Sequence, residues 1–288
     1  MSVTEITSLA NPKVKYCVKL RQRSHRDEFG QMLIEGYREC RRALDHDYRP
    51  QMLFFCEELY LKHENEPAIV AECERLGAEC FACTAKVFEK LAYRERPDGL
   101  LMAGPQPRLS LADLKLPANA LVLVAESIEK PGNLGTMLRS ADAAGVSAVI
   151  VCDRCTDIYN PNVVRASTGT LFSIPVVEAE SGEALAFLRE RGYSILAATP
   201  HAERLHFEVD LTRPVAIAVG TEQYGLTAKW MEAADLRVRI PMLGIADSLN
   251  VAAATTILLS EAVRQRILAK QVEVPPSEPW HGEHTFDA

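Results

Sequence analysis

Four short runs of this chain are almost purely apolar: residues 120–125, 148–151, 194–198 and 215–219. A strand with one face in water alternates polar and apolar residues, so strands this uniform must be covered on both faces. Helical segments at 134–144 and 183–191 separate them, an alternation that predicts an α/β domain with a parallel sheet between two helix layers. With 288 residues, 48% of them hydrophobic and 25% charged, the chain has apolar material for two cores.

The region upstream reads as a smaller α/β domain over residues 1–104. Val14, Cys17, Val18, Leu20, Ala43 and Leu44 recur near helical spacing, predicting one or two helices between 11 and 44. Residues 32–35 and 52–55 are brief strand candidates, and 68–76 is helical in pattern until Gly77 stops it before 79–81. Gly104, Pro105, Pro107 and Pro117 mark residues 105–119 as a linker. The sheet domain then occupies 120–270 and closes with a long helix over 249–269. Residues 271–288, with Pro275, Pro276 and Pro279, are expected to form a flexible tail.

The formal charge of −7 argues against a protein that coats nucleic acid non-specifically. Between residues 11 and 42, however, Lys13, Lys15, Lys19, Arg21, Arg23, Arg26, Arg38, Arg41 and Arg42 stand against Asp27, Glu28, Glu35 and Glu39. Such a local basic face suits phosphates, and Lys13, Lys15, Arg21 and Arg23 are the candidate RNA contacts; a solvated helix surface would read the same way. The eight cysteines lack the dense spacing of a secreted disulfide scaffold. Cys80 with Cys83 and Cys152 with Cys155 have half-zinc-site spacing but lie in different domains, so we read them as reduced thiols and expect no metal. No apolar run reaches membrane-span length and the first residues do not read as a secretory signal, so the expected location is cytoplasmic.

Three segments fall at strand ends, where open α/β sheets bind ligands. In the first, Pro131-Gly132 forces a turn and Asn133 suits a helix N-cap. Arg139 follows six positions later and is expected on a similar helix face, as a ligand contact or in a structural ion pair. In the second, Gly220 lets the backbone approach a ligand and Glu222 sets a carboxylate beside it. In the third, a short apolar strand breaks at Pro241. Gly244 relaxes the turn, and Asp247, Ser248 and Asn250 gather short polar side chains at a helix mouth, with capping by Ser248 as the plainer role. No spaced triple glycine of a dinucleotide site and no GxxxxGK[ST] occurs.

These segments, EKPGNLGTMLRSADAAG, AVGTEQYGLT and IPMLGIADSLNVAAATTILLSEA, in that order and with VVRASTGTLFSIPV between the first two, resemble the motifs of the SpoU/TrmH family of S-adenosylmethionine-dependent RNA 2′-O-ribose methyltransferases, within the SPOUT superfamily. Residues 11–40 are similar to the RNA substrate-binding domain that many members carry. The resemblance implies an α/β C-terminal parallel-sheet domain threaded into a deep trefoil knot, plus a small N-terminal α/β RNA-binding domain. It implies a homodimer acting on structured RNA, ribosomal before transfer RNA, with S-adenosyl-L-methionine as cofactor. A catalytically silent RNA-binding scaffold is the alternative.

Carried over residue by residue, the resemblance makes Arg139 the group that meets the ribose 2′-hydroxyl. Asn133 orients the ribose or Arg139, Glu222 fixes Arg139 or substrate, and Ser248 and Asn250 hold the loop and contact substrate. Gly220, Ile240 and Leu249 would supply backbone contacts to the adenosine, with Thr199 and Met242 lining its pocket. Arg165 would bind an RNA phosphate or make a salt bridge within its domain.

Overall fold

The computed structural model describes residues 3–61, 65–221 and 223–276. Its first half contains β1 (Thr4–Ile6), α1 (Pro12–Lys19), α2 (Arg23–Phe29), β2 (Gln31–Glu35), α3 (Tyr37–Asp45), β3 (Met52–Phe55), α4 (Glu66–Arg75), β4 (Glu79–Cys83), α5 (Ala85–Leu91) and β5 (Leu100–Pro105). The strands form one mixed sheet in the order β1-β4-β3-β5-β2. Helix α1 starts where Asn11 Oδ1 accepts the Lys13 N–H at 2.8 Å and Pro12 supplies a preset φ. Instead of one or two helices over 11–44, there are three with β2 between them. Gly30, in the left-handed region at φ 61°, ends α2 and lets the chain turn directly into β2.

The expected linker also begins late. Gly104 and Pro105 are the end of β5, paired with Met32 and Gln31. Beyond Gln106 the connection is not loose: Leu114 is buried, and Leu111 and Leu116 pack with it against one face of the following sheet. Prolines there prevent regular ladder bonding but do not prevent apolar docking.

The second half contains β6 (Leu121–Glu126), α6 (Pro131–Ala143), β7 (Ala148–Cys152), α7 (Pro161–Ala166), β8 (Val176–Ala179), α8 (Ser181–Glu190), β9 (Ser194–Ala198), β10 (Arg204–Leu205), β11 (Val215–Val219), α9 (Ala228–Ala233), β12 (Leu236–Arg239) and α10 (Val251–Leu268). All seven strands are parallel, in the order β10-β12-β9-β11-β6-β7-β8. The continuous apolar runs are the central strands, buried on both faces as their composition requires. The chain steps outward from β6 to β7 and β8, crosses to β9, and returns to insert β11 between β6 and β9, with Val219 opposite Ala125 and Ala218 opposite Ala197. The sheet's direction of progression thus switches beside β6, the position where such sheets bind ligands beyond their strand ends.

One apolar cluster on one face of this sheet runs on into the first half of the chain, so the two sheets share a core. Arg26 joins them. Its guanidinium pairs with Asp157 through Nε at 3.0 Å and Nη2 at 2.5 Å, and both side chains are almost wholly buried, 1% and 2% exposed. Arg42 adds a bond to the Thr168 carbonyl at 2.7 Å. Residues 277–288 of the expected tail lie outside the described residues. Among the described residues no helix is long and apolar enough to cross a membrane.

Candidate active site

A cavity of about 510 Å³ opens at the C-terminal ends of β9, β11 and β12. Its walls come from the turn after β9, the loop after β11, residues 240–249 and the first turns of α10. Thr199, Gly220, Ile240, Met242 and Leu249, far apart in sequence, all line it, as does Ser248. Thr199 is fixed by donating its N–H to the Val238 carbonyl at 3.0 Å. The volume falls within the roughly 300–1,000 Å³ of small-molecule sites. His201, Tyr224 and Ala254 also line it; nothing in their local sequence marks them, since each reaches the cavity only through folding.

The loop after β11 closes on itself: Thr221 and Gly225 exchange backbone bonds of 3.1 and 3.0 Å, and Tyr224 N–H donates to Thr221 Oγ1 at 2.9 Å. The expected reason for Gly220 needs correction. A Cβ there would sit 2.2 Å from the Gly225 carbonyl group, so it is the chain's own backbone that makes the close approach. Gly220→Ala is therefore expected to cost about 1–3 kcal/mol or more by overpacking, read as a lower urea midpoint with an unchanged slope. Glu222 lies outside the described residues.

Asn133 is not a cap. Pro131, with its preset φ, takes the first position of α6, Lys130 is the N-cap, and Asn133 sits within the first turn. Its Oδ1 accepts the Asn250 Nδ2–H at 3.2 Å. Asn250, not Ser248, caps α10, accepting the Ala252 N–H on Oδ1 at 2.9 Å. Ser140 and Thr256 hydroxyls meet at 2.7 Å further along, so α6 and α10 run side by side, and the first turns of α10 line the cavity.

The expectation that Arg139 shares a face with Asn133 also fails. At about 100° per residue, six positions carry it about 120° around α6, and Ser140 takes the face toward α10. Arg139 is exposed and has no hydrogen-bond or ion-pair partner among the described residues. A cation left free beside a motif of short side chains is available to an incoming anion.

The proposed basic face is largely consumed inside the chain. Lys13 binds both Glu79 oxygens at 2.8 and 2.9 Å, and Arg21 Nη2 donates to the Lys90 and Ala92 carbonyls at the end of α5. Arg23 pairs with Asp27 at 3.5 Å on the surface, Arg26 is buried, and Arg41 bonds Asp45 and Glu72. Among the described residues Lys15, Lys19 and Arg38 stay exposed without such partners, as does Arg165 on α7. Cys80 and Cys83 fall on opposite faces of β4, in separate clusters, and burial pushes their thiols up to about 11 and about 12. Cys152 is buried while Cys155 is exposed.

Comparison with known proteins places this geometry in context. Residues 120–260 match the SpoU rRNA Methylase family, and residues 11–102 match the MRM3-like substrate binding domain. The chain is 31% identical over 263 residues to the 23S rRNA (uridine(2479)-2′-O)-methyltransferase of Streptomyces viridochromogenes, covering 89% of this chain and 90% of that one. It is also 31% identical to the 23S rRNA (guanosine(2553)-2′-O)-methyltransferase RlmP of Bacillus subtilis, over 88% and 97%. Among solved structures, an RNA 2′-O ribose methyltransferase superposes with a TM-score of 0.81 at 42% identity, over 92% of this chain and all of that one. An AdoMet-bound rRNA methyltransferase from Sinorhizobium meliloti gives 0.84 at 32% identity, over 91% and 98%.

Proposed function

The chain belongs to the SpoU rRNA methylase family, and from that premise we propose that it transfers a methyl group from S-adenosyl-L-methionine to a ribose 2′-hydroxyl of ribosomal RNA. The observation that carries this reading is the convergence of Thr199, Gly220, Ile240, Met242 and Leu249 on one cavity whose rim is tied to α6 through Asn250 and Asn133. The cavity fits the cofactor's chemistry. Apolar side chains of Ile240, Met242 and Leu249 suit an adenine face, while the turns at 199 and 220 bring backbone polar groups to its edge.

When bound, S-adenosylmethionine supplies an electrophilic methyl carbon on a sulfonium. The protein's work is alignment and charge control. Arg139 meets the 2′-oxygen and stabilises negative charge as it develops; a guanidinium stays protonated, so electrostatic stabilisation suits it better than proton removal. Asn133 and Asn250, holding one another, set the angle between α6 and the cavity, and Ser248 contacts substrate from the loop. Glu222 orients Arg139 or a substrate group. Lys15, exposed, meets RNA phosphate, as does Arg165; Lys13, Arg21 and Arg23 act there only by giving up the contacts described above.

Residues 1–105 form the substrate-binding part, 106–119 the connection, 120–270 the methyltransferase part and 271–288 a tail; β5, running to Pro105, supports the first boundary. The return of β11 between β6 and β9, followed by α10 packing on α6, supports a trefoil-knotted path. Fully exposed Leu243 and Ile245 beside the cavity support a homodimer that covers them. A ribosomal RNA substrate supports a cytoplasmic location.

Calorimetric titration of the folded chain with S-adenosylmethionine is expected to give one site per chain; no binding leaves the scaffold reading. Mapping 2′-O-methyl groups in cells with and without the protein is expected to show one lost ribosomal position, whereas a lost transfer RNA position redirects the target. A crystal structure with cofactor tests the knot and the two-fold interface together.

A further inference from the structure

Glu126 is completely buried at the C-terminal end of β6, and among the described residues no lysine or arginine forms an ion pair with it. Burying a carboxylate costs several kcal/mol unless strong hydrogen bonds replace its water. Here Oε2 accepts the Thr227 N–H at 2.8 Å and Oε1 accepts the Thr227 hydroxyl at 2.6 Å, with Ser181 Oγ approaching at 3.5 Å. Both Thr227 bonds are charge-assisted. Thr227 is the N-cap of α9; its side chain makes no capping bond, and its hydroxyl instead donates to Glu126.

This placement has a geometric consequence. Ala125 stands opposite Val219, so the end of β6 fixes the start of the loop after β11 by register, and Glu126 fixes its far end by side chain. Between these two points lie Thr221, Tyr224 and Gly225, which form a wall of the cavity. Behind Thr227, Trp230 Nε1 donates to Ser181 Oγ at 2.8 Å, and Ser181 Oγ donates to Asp153 at 2.5 Å, anchoring α9 beneath the loop. An apolar residue at 126 would pack the strand end without a buried charge, but it would release Thr227.

We propose that Glu126 is a positioning residue for the methyl donor: its carboxylate clamps Thr227 and so sets the loop after β11 against the cavity. The proposal rests on reading that cavity as the S-adenosylmethionine site. Glu126→Gln keeps the shape but removes the charge and replaces one of the two accepting oxygens with a donor, so one Thr227 bond is lost and the other weakened, while Thr227→Val removes only the hydroxyl.

Two measurements separate the clamp from its consequence. Amide exchange at Thr227, followed without cofactor, is expected to rise at least tenfold in Glu126→Gln; unchanged exchange overturns the clamp. Titration with S-adenosylmethionine is expected to show Kd and the cofactor KM raised about tenfold, with the RNA KM unchanged. The double variant is expected to be no weaker than the weaker single one, since both break one contact. A lowered melting temperature with unchanged Kd, or additive losses in the double variant, reduces Glu126 to a structural residue. If the unaltered chain binds no cofactor while exchange at Thr227 still responds, it is the reading of the cavity that fails, and the positioning role falls with it.

Discussion

Replacing Arg139 with alanine is expected to slow methyl transfer by about a hundred- to a thousand-fold while leaving S-adenosylmethionine affinity within about twofold. The size follows from losing one preorganised donor to a developing oxyanion, typically worth about 10²–10³ in rate. Affinity is spared because Arg139 lies on α6 and is absent from the lining of the cavity at the ends of β9, β11 and β12. Folding is spared too: the side chain is exposed, has no internal partner among the described residues, and alanine is the best helix former. Single-turnover methylation of RNA, alongside calorimetric titration of the cofactor, separates the two effects. Methylation at the normal rate removes Arg139 from the mechanism.

Replacing Arg26 with methionine is expected to cost about 3–5 kcal/mol of stability, the usual result of stranding one partner of a buried ion pair. Asp157, 2% exposed, would keep its bond from the Tyr159 N–H at 2.9 Å but lose its only countercharge within bonding distance among the described residues. The Leu20 and Arg21 carbonyls, which accept from Arg26 Nη1 at 2.8 and 2.7 Å, would lose that donor as well. Because the pair bridges the two sheets, the loss should appear in urea denaturation as a lower midpoint for the whole chain. A double replacement, Arg26→Met with Asp157→Leu, is expected to recover part of the loss, since no charge is then buried alone. A single-variant loss under 1 kcal/mol would mean that water reaches this junction.

Both predictions show what could be read before folding. Arg139 stood out from its setting among Ser140, Ala141 and Ala143, and it remains available in the structure. Arg26 looked like one more member of a basic face, yet its partner lies 131 residues away. The same distance effect hid the pairing of Lys13 with Glu79 and of Arg41 with Glu72, 66 and 31 residues apart. Strand β8 was not anticipated because VVEA is short and mixed, and β12, expected as an apolar strand ahead of Pro241, is instead the mixed run LRVR; the strand character of both comes from neighbours already in the sheet. Strand β5 was obscured by the punctuation of Gly104 and Pro105 at its end. Glu126 gave one unused signal: a lone carboxylate closing an otherwise apolar strand.

Residue type and spacing by themselves predicted that the second half would be a sheet buried on both faces, and singled out the turns after residues 126, 219 and 239 as candidate ligand sites. Those properties are local, set by which side chains tolerate water and which backbones turn. Only the tertiary structure decided which cations remain free, what Gly220 makes room for, and that Asn250 rather than Ser248 caps the last helix. Each of those outcomes depends on an atom brought within about 3 Å by chain distant in sequence, and electrostatic and hydrogen-bond energies fall too steeply with distance for any local pattern to foretell them.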